Sequence, residues 1–137
     1  MNKEFVTQRV AELLRLKKFD EWCWWFYNLV DDDTPDFHYS LERWTECPHL
    51  NSHHPDYSMS ILSAPTVQAA RDWLEEKYGF FIEIGRSIDL NGTYHYAYLI
   101  LDKTCKYIYN QKDKDNDFPS SYDAANAALE LCLENLI

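Results

Sequence analysis

The chain has 137 residues, 46% hydrophobic and 16% aromatic, a composition that suits one folded domain with a sizeable core and excludes intrinsic disorder. Its 23 acidic and 13 basic residues give a formal charge of −10, which opposes binding to nucleic acid or to anionic membranes and is compatible with a basic partner or with mimicry of nucleic acid. No apolar run approaches bilayer length and no N-terminal segment reads as a signal peptide, so a reduced, cytoplasmic setting is expected.

At the N-terminus, Val6-Thr7 before QRVAELLRLKK reads as a helix start with Thr7 as N-cap. Val10, Leu13 and Leu14 supply a narrow apolar stripe, and Lys17-Lys18 suit the negative end of the helix dipole. Phe19 to Leu29 is the most aromatic segment. As a strand it puts Trp22, Trp24 and Phe26 on one face and Cys23, Trp25 and Tyr27 on the other, the pattern of a central strand. Core packing is the expected role of Trp22–Tyr27, and an exposed aromatic binding surface is the alternative. Asp31-Asp32-Asp33 closes that strand. From roughly Asp31 to Tyr57 a long irregular connection is expected, broken by Pro35, Pro48 and Pro55, with room for a short strand near Phe37–Tyr39. Ser58 to Leu62 is a further candidate strand.

The stretch from Pro65 to Ile84 reads as an amphipathic helix, a glycine stop and a strand. Pro65 suits a first helical turn; Val67, Ala70, Trp73, Leu74 and Tyr78 form one stripe; and Gly79 ends the helix after Tyr78. Phe80, Ile82 and Ile84 then alternate with Phe81, Glu83 and Gly85, which leaves Phe81 as an aromatic on a polar face, to be covered or to meet a partner. Asn91-Gly92 predicts a type I′ hairpin. Thr93 to Leu101 is the return strand, with Tyr94, Tyr96, Tyr98 and Ile100 along one face, and Cys105 to Tyr109 is a third strand after a turn at Asp102-Lys103-Thr104. Asn110 to Asp117 is a loop. Ser120 and Asp123 resemble a capping box, and Ala125, Ala128, Leu129, Cys132 and Leu136 line the closing helix.

Candidate chemistry is sparse. The four cysteines (Cys23, Cys47, Cys105, Cys132) show no C-x-x-C pair, and Cys105 and Cys132 are expected to act as small hydrophobes. Cys47, His49, His53 and His54 form the sole His/Cys cluster, but their spacing inside a proline-broken loop favours solvated side chains over a zinc site. Asp113, Asp115 and Asp117 copy the start of a calcium loop, yet Phe118 and Ala124 stand where Gly and Glu are required. His38 and His95 have no local partner pattern for acid–base work, and three glycines build no phosphate loop. From Pro65 onward the order helix–strand–strand–strand–helix is that of double-stranded RNA-binding domains, but Asp115, Asp117 and Asp123 surround the helix start that would have to be basic. No cofactor, metal or catalytic residue is therefore assigned.

KEFVTQRVAELLRLKKFDEWC, SAPTVQAARDWLEEKYGFFIEI and SSYDAANAALELCLENLI resemble a group of small uncharacterised proteins of anaerobic gut bacteria and their phages or mobile elements. The resemblance covers about half the chain and its motifs are structural, so it implies an origin and no activity. The segment from about Asp31 to Tyr57 looks longer than in that group. The expected fold is a single α+β domain over residues 1–137, an antiparallel sheet of about three to five strands centred on the Asn91-Gly92 hairpin, with helices mainly on one face. The expected role is a non-enzymatic accessory or protein-interaction protein, binding an unidentified protein or itself. An acidic nucleic-acid mimic and then a metal-dependent enzyme are the alternatives.

Overall fold

The computed structural model describes residues 4–30, 38–54, 60–110 and 117–137. Asp31–Asp33, Pro35, Pro55, Asp113 and Asp115 lie outside the described residues. The fold is α+β, as the sequence predicts. Its strands form two antiparallel three-stranded sheets, ordered β2-β1-β3 and β4-β5-β6, rather than one. The chain makes two compact units, Glu4–Thr66 and Val67–Ile137.

In the first unit, helix α1 spans Gln8–Leu16. Thr7 caps it, its hydroxyl accepting the Val10 N–H at 3.3 Å. Val10, Leu13 and Leu14 are buried, with Ala11 beside them. The helix ends in a Schellman motif. Lys18 takes positive φ (62°) and donates to the Arg15 carbonyl, while Phe19 donates to that of Leu14. Phe19 is thereby spent as a buried cap contact and does not start a strand.

Strand β1 begins only at Trp25 (Trp25–Val30) and is central, flanked by β2 (His38–Arg43) and β3 (Ile61–Ser63). Cys23 forms an isolated two-bond bridge with His49. The core reading of the aromatic segment holds for Cys23 and Phe26, which are buried, but Trp22 is 62% and Trp24 40% exposed. The reason is that the segment before Trp25 lacks strand partners on both sides, so the period-two alternation does not carry back through it.

Residues 38–54, expected to belong to a long irregular connection, are instead largely structured. β2 pairs with β1 along its whole length, Trp25 opposite Arg43 through Val30 opposite His38, and a 3₁₀ turn follows at Asn51–His53. Long-range hydrogen bonds anchor the rest: the buried Asn51 amide donates to the Phe19 carbonyl and accepts from the Ser63 N–H, both at 2.9 Å. Arg15 donates to the carbonyls of Ile61 (2.8 Å) and His54 (3.3 Å).

In the second unit, α2 spans Val67–Tyr78 and stops at Gly79 (φ 77°), whose N–H donates to the Glu75 carbonyl. Pro65 lies outside the helix rather than in its first turn: its carbonyl accepts the Val6 N–H, and Thr66 bridges to Phe5. Strands β4 (Phe81–Ile88), β5 (Tyr94–Leu101) and β6 (Tyr107–Asn110) follow. Helix α3 (Ser121–Leu131), capped by the Ser120 hydroxyl and continued by a π turn at Cys132–Leu136, packs on β4 and β5. It buries Ile82, Tyr98 and Ile100 beneath Ala125, Ala128, Leu129 and Cys132.

The two hairpin turns are one design used twice. Asp89 and Thr93 pair across a three-residue loop, the Gly92 N–H donates to the Asp89 carbonyl, and Gly92 takes φ 81°. Asp102 and Lys106 pair likewise, the Cys105 N–H donates to the Asp102 carbonyl, and Cys105 takes φ 64°. Each Asp carboxylate also accepts backbone N–H groups of its own loop. Asn91 has no positive φ, so the turn is not type I′; a bulge that needs one left-handed residue replaces it. Cys105 is thus an exposed turn residue and not part of β6.

Candidate functional site

In the first half of β4, Ile82 and Ile84 turn inward on the α3 side, which leaves Phe81 and Glu83 on the opposite, open face of the sheet. Register sets Phe81 opposite Leu101 and Leu101 opposite Tyr107, so the three form one row across all three strands. Phe81 is 44% and Tyr107 66% exposed. Together with Tyr78 at the end of α2 and the turn residues Lys103 and Cys105, the row floors a shallow groove of about 870 Å³. The aromatic that the sequence places on a polar face is therefore exposed.

Charge around this floor is uneven. Glu75, Glu76 and Glu83 line it, and their carboxylates take no ion pair or hydrogen bond among the described residues. Asp102 is committed to its turn, where the Thr104 hydroxyl (2.6 Å) and backbone N–H groups hold its carboxyl below the usual range. The two basic residues are partly engaged: Lys77 Nζ lies 5.3 Å from the Trp73 ring and 5.8 Å from the Tyr78 ring, and the Lys103 stem lies over Gly79, where an added Cβ would meet its Cδ at 3.6 Å.

The first unit gathers the predicted Cys/His residues through packing. The His49 ring lies 4.1 Å from Trp44, 5.6 Å from His53 and 6.1 Å from His54, and its Nε2 is 3.9 Å from Cys47 Sγ. Trp44 also stacks on Phe26 at 4.0 Å, and His53 meets Trp22 edge-on. His53 Nδ1 accepts the Leu50 N–H, which places the ring proton of the neutral form on Nε2. His54 is buried, its Nε2 without a partner among the described residues, and burial with the Arg15 charge pushes its pKa down to about 4. Among the described residues no three His, Cys, Asp or Glu side chains are placed to hold a metal ion. The cluster is an aromatic–imidazole stack whose outer edge, Trp22, Cys47, Pro48, His49 and His53, is a small apolar hollow.

His95 sits between two carboxylates, Nε2 at 2.9 Å from Asp89 and Nδ1 at 3.6 Å from Asp117. The Asp89 hydrogen bond, with the Asp117 and Asp89 charges, holds its pKa above the usual histidine value. His95 is half-buried beside an exposed Asp89, which is already engaged by its own turn. Asp117 is the one described member of the calcium-like run. Phe118, in the position that motif gives to Gly, bridges to Tyr96 and packs on Tyr98, and Ala124 is buried.

Of the cysteines, Cys23 and Cys132 are buried, and desolvation pushes each thiol up to about 12. Cys47 and Cys105 are exposed. Among the described residues no helix is long and apolar enough to cross a membrane. No family model, curated protein or solved structure matches this chain.

Proposed function

We propose that this chain is a non-enzymatic accessory protein that works by binding another protein through the open face of the β4-β5-β6 sheet. The observation that carries this reading is the exposed row Phe81–Leu101–Tyr107, an apolar floor on the face opposite α3. The resemblance to small proteins of phages and mobile elements agrees with an accessory role, and the exposed thiols of Cys47 and Cys105 suit a reducing cytoplasm. Mimicry of nucleic acid has less support, because Asp89, Asp102 and Asp123 are spent on turns and a helix cap rather than held out as phosphates would be.

Selection from a random peptide-display library tests the reading, since it requires no named partner. The expected result is a family of peptides that bind the wild-type protein and lose binding to Phe81→Ser, whose far-UV spectrum stays native because the ring is exposed. No enrichment, or peptides indifferent to Phe81→Ser, refutes it.

A further inference from the structure

Resting on that docking face, we infer the chemistry of its occupant: a segment with one large apolar side chain flanked by Lys or Arg. The apolar requirement comes from the floor. Phe81, Leu101, Tyr107 and Tyr78 present ring faces and aliphatic carbon, with room for a large side chain and its neighbours. Satisfying that floor takes an anchor that loses water on docking, as buried aromatic or aliphatic anchors do in other interfaces.

The basic flanks come from the rim. Three carboxylates, Glu75, Glu76 and Glu83, stand around the floor without partners among the described residues, and they outnumber the two lysines of the groove, Lys77 against the Trp73 and Tyr78 rings and Lys103 with its stem along Gly79. Glu75 and Glu76 also sit in the last turn of α2, where the helix dipole already presents negative potential. An acidic or neutral segment would have to approach this potential without compensation, whereas Lys or Arg would be attracted from a distance and paired at contact. The whole chain's charge of −10 acts in the same direction. A second copy of the chain brings the same acidic rim and is disfavoured as the occupant.

The test uses three fluorescein-labelled peptides with one Phe-Leu anchor, flanked by Lys and Arg, by Gln, or by Glu, read by fluorescence anisotropy against the full chain. The expected order is basic, then neutral, then acidic. Basic-peptide affinity should fall as salt rises from about 50 mM to about 500 mM. The triple variant Glu75→Gln, Glu76→Gln, Glu83→Gln should weaken the basic peptide by roughly tenfold, the combined effect of three exposed ion pairs. Phe81→Ser should weaken the basic and neutral peptides alike. Equal binding of the basic and Gln peptides, with Phe81→Ser still abolishing both, overturns the basic partner and leaves the docking face standing. Binding indifferent to Phe81→Ser overturns both. Concentration-dependent dimerisation that Phe81→Ser abolishes, seen by sedimentation equilibrium, makes a second copy the occupant and also overturns the basic partner.

Discussion

Cys105 occupies a backbone conformation that Gly92 occupies in the preceding hairpin, and the difference is measurable. Both residues close a three-residue turn opened by an aspartate, with φ 64° at Cys105 and 81° at Gly92. An L-residue in this region strains its Cβ against the following carbonyl by about 1–2 kcal/mol, and glycine does not. Glycine has more freedom to lose on folding, a cost of roughly 0.5–1 kcal/mol. The exposed Cys105 side chain offers no packing to offset the strain. Cys105→Gly should therefore stabilise by about 0.5–1 kcal/mol, and the reverse change, Gly92→Ala, should destabilise by about 1 kcal/mol. In a chain of this size the first change raises the melting temperature by about 2–4 °C. Urea titration under reducing conditions, followed by far-UV circular dichroism and by Trp73, the one tryptophan between Val67 and Ile137, reads the unit concerned. Cys105→Ala keeps the strain and removes the thiol, so it should stay near wild type. A neutral or destabilising Cys105→Gly, or a Cys105→Ala that stabilises equally, refutes the reasoning.

Lys18 takes the corresponding position in the Schellman motif after α1, so Lys18→Gly should give a gain of the same order, about 0.5–1 kcal/mol, in urea titration followed by the tryptophans of the first unit. Asn51→Ala removes two buried hydrogen bonds, to the Phe19 carbonyl and from the Ser63 N–H, so a loss of roughly 2–4 kcal/mol is expected in the same assay; a loss under about 1 kcal/mol would show that water replaces the amide. His54 is held neutral, its pKa falling from 6.5 to about 4 on folding, so the unfolded chain binds more protons between these values. Its contribution is complete above pH 6.5 and is lost as pH falls toward 4, by no more than about 3 kcal/mol; His54→Gln should flatten the pH dependence of stability in that window, and an unchanged slope contradicts the assignment. Native alkylation with iodoacetamide should label Cys47 and Cys105 promptly and spare Cys23 and Cys132, whose thiols are buried and raised to about 12; mass mapping of the labelled peptides checks this.

Local signals are the legible ones. Thr7 and Ser120 cap α1 and α3 because a hydroxyl just before a helical run has few other tasks, and Gly79 ends α2 for an equally local reason. What depends on pairing is not legible. His38–Arg43 alternates only Tyr39 and Leu41 with polar residues, so the sequence suggests a short strand near Phe37–Tyr39 but not that the segment lies along β1 for six residues. The Trp22–Tyr27 segment misleads in the opposite sense, since its alternation is real but strand partners reach only part of it. The Asn91-Gly92 dipeptide points to a type I′ turn, although the controlling residue is Asp89. A second aspartate, Asp102, three residues before Cys105, repeats that spacing and is the signal that identifies both turns.

The groove shows the same division between local and paired information. Phe81 stands out in the sequence because it breaks an alternation, and that break is local. Leu101 and Tyr107 become its neighbours only through the β4–β5 and β5–β6 registers, the latter shifted by an irregularity between Ile100 and Leu101. Glu75 and Glu76 carry the signature of an ordinary solvated helix face, and Gly79 is what turns that face toward the sheet's open side. A surface of this kind leaves no motif, because no residue in it has a required spacing from another along the chain. The acidity is different in kind. It is visible as a single net charge, yet its meaning depends on which carboxylates the fold consumes. Turns and caps take Asp89, Asp102 and Asp123, whereas Glu75, Glu76 and Glu83 remain around an apolar floor.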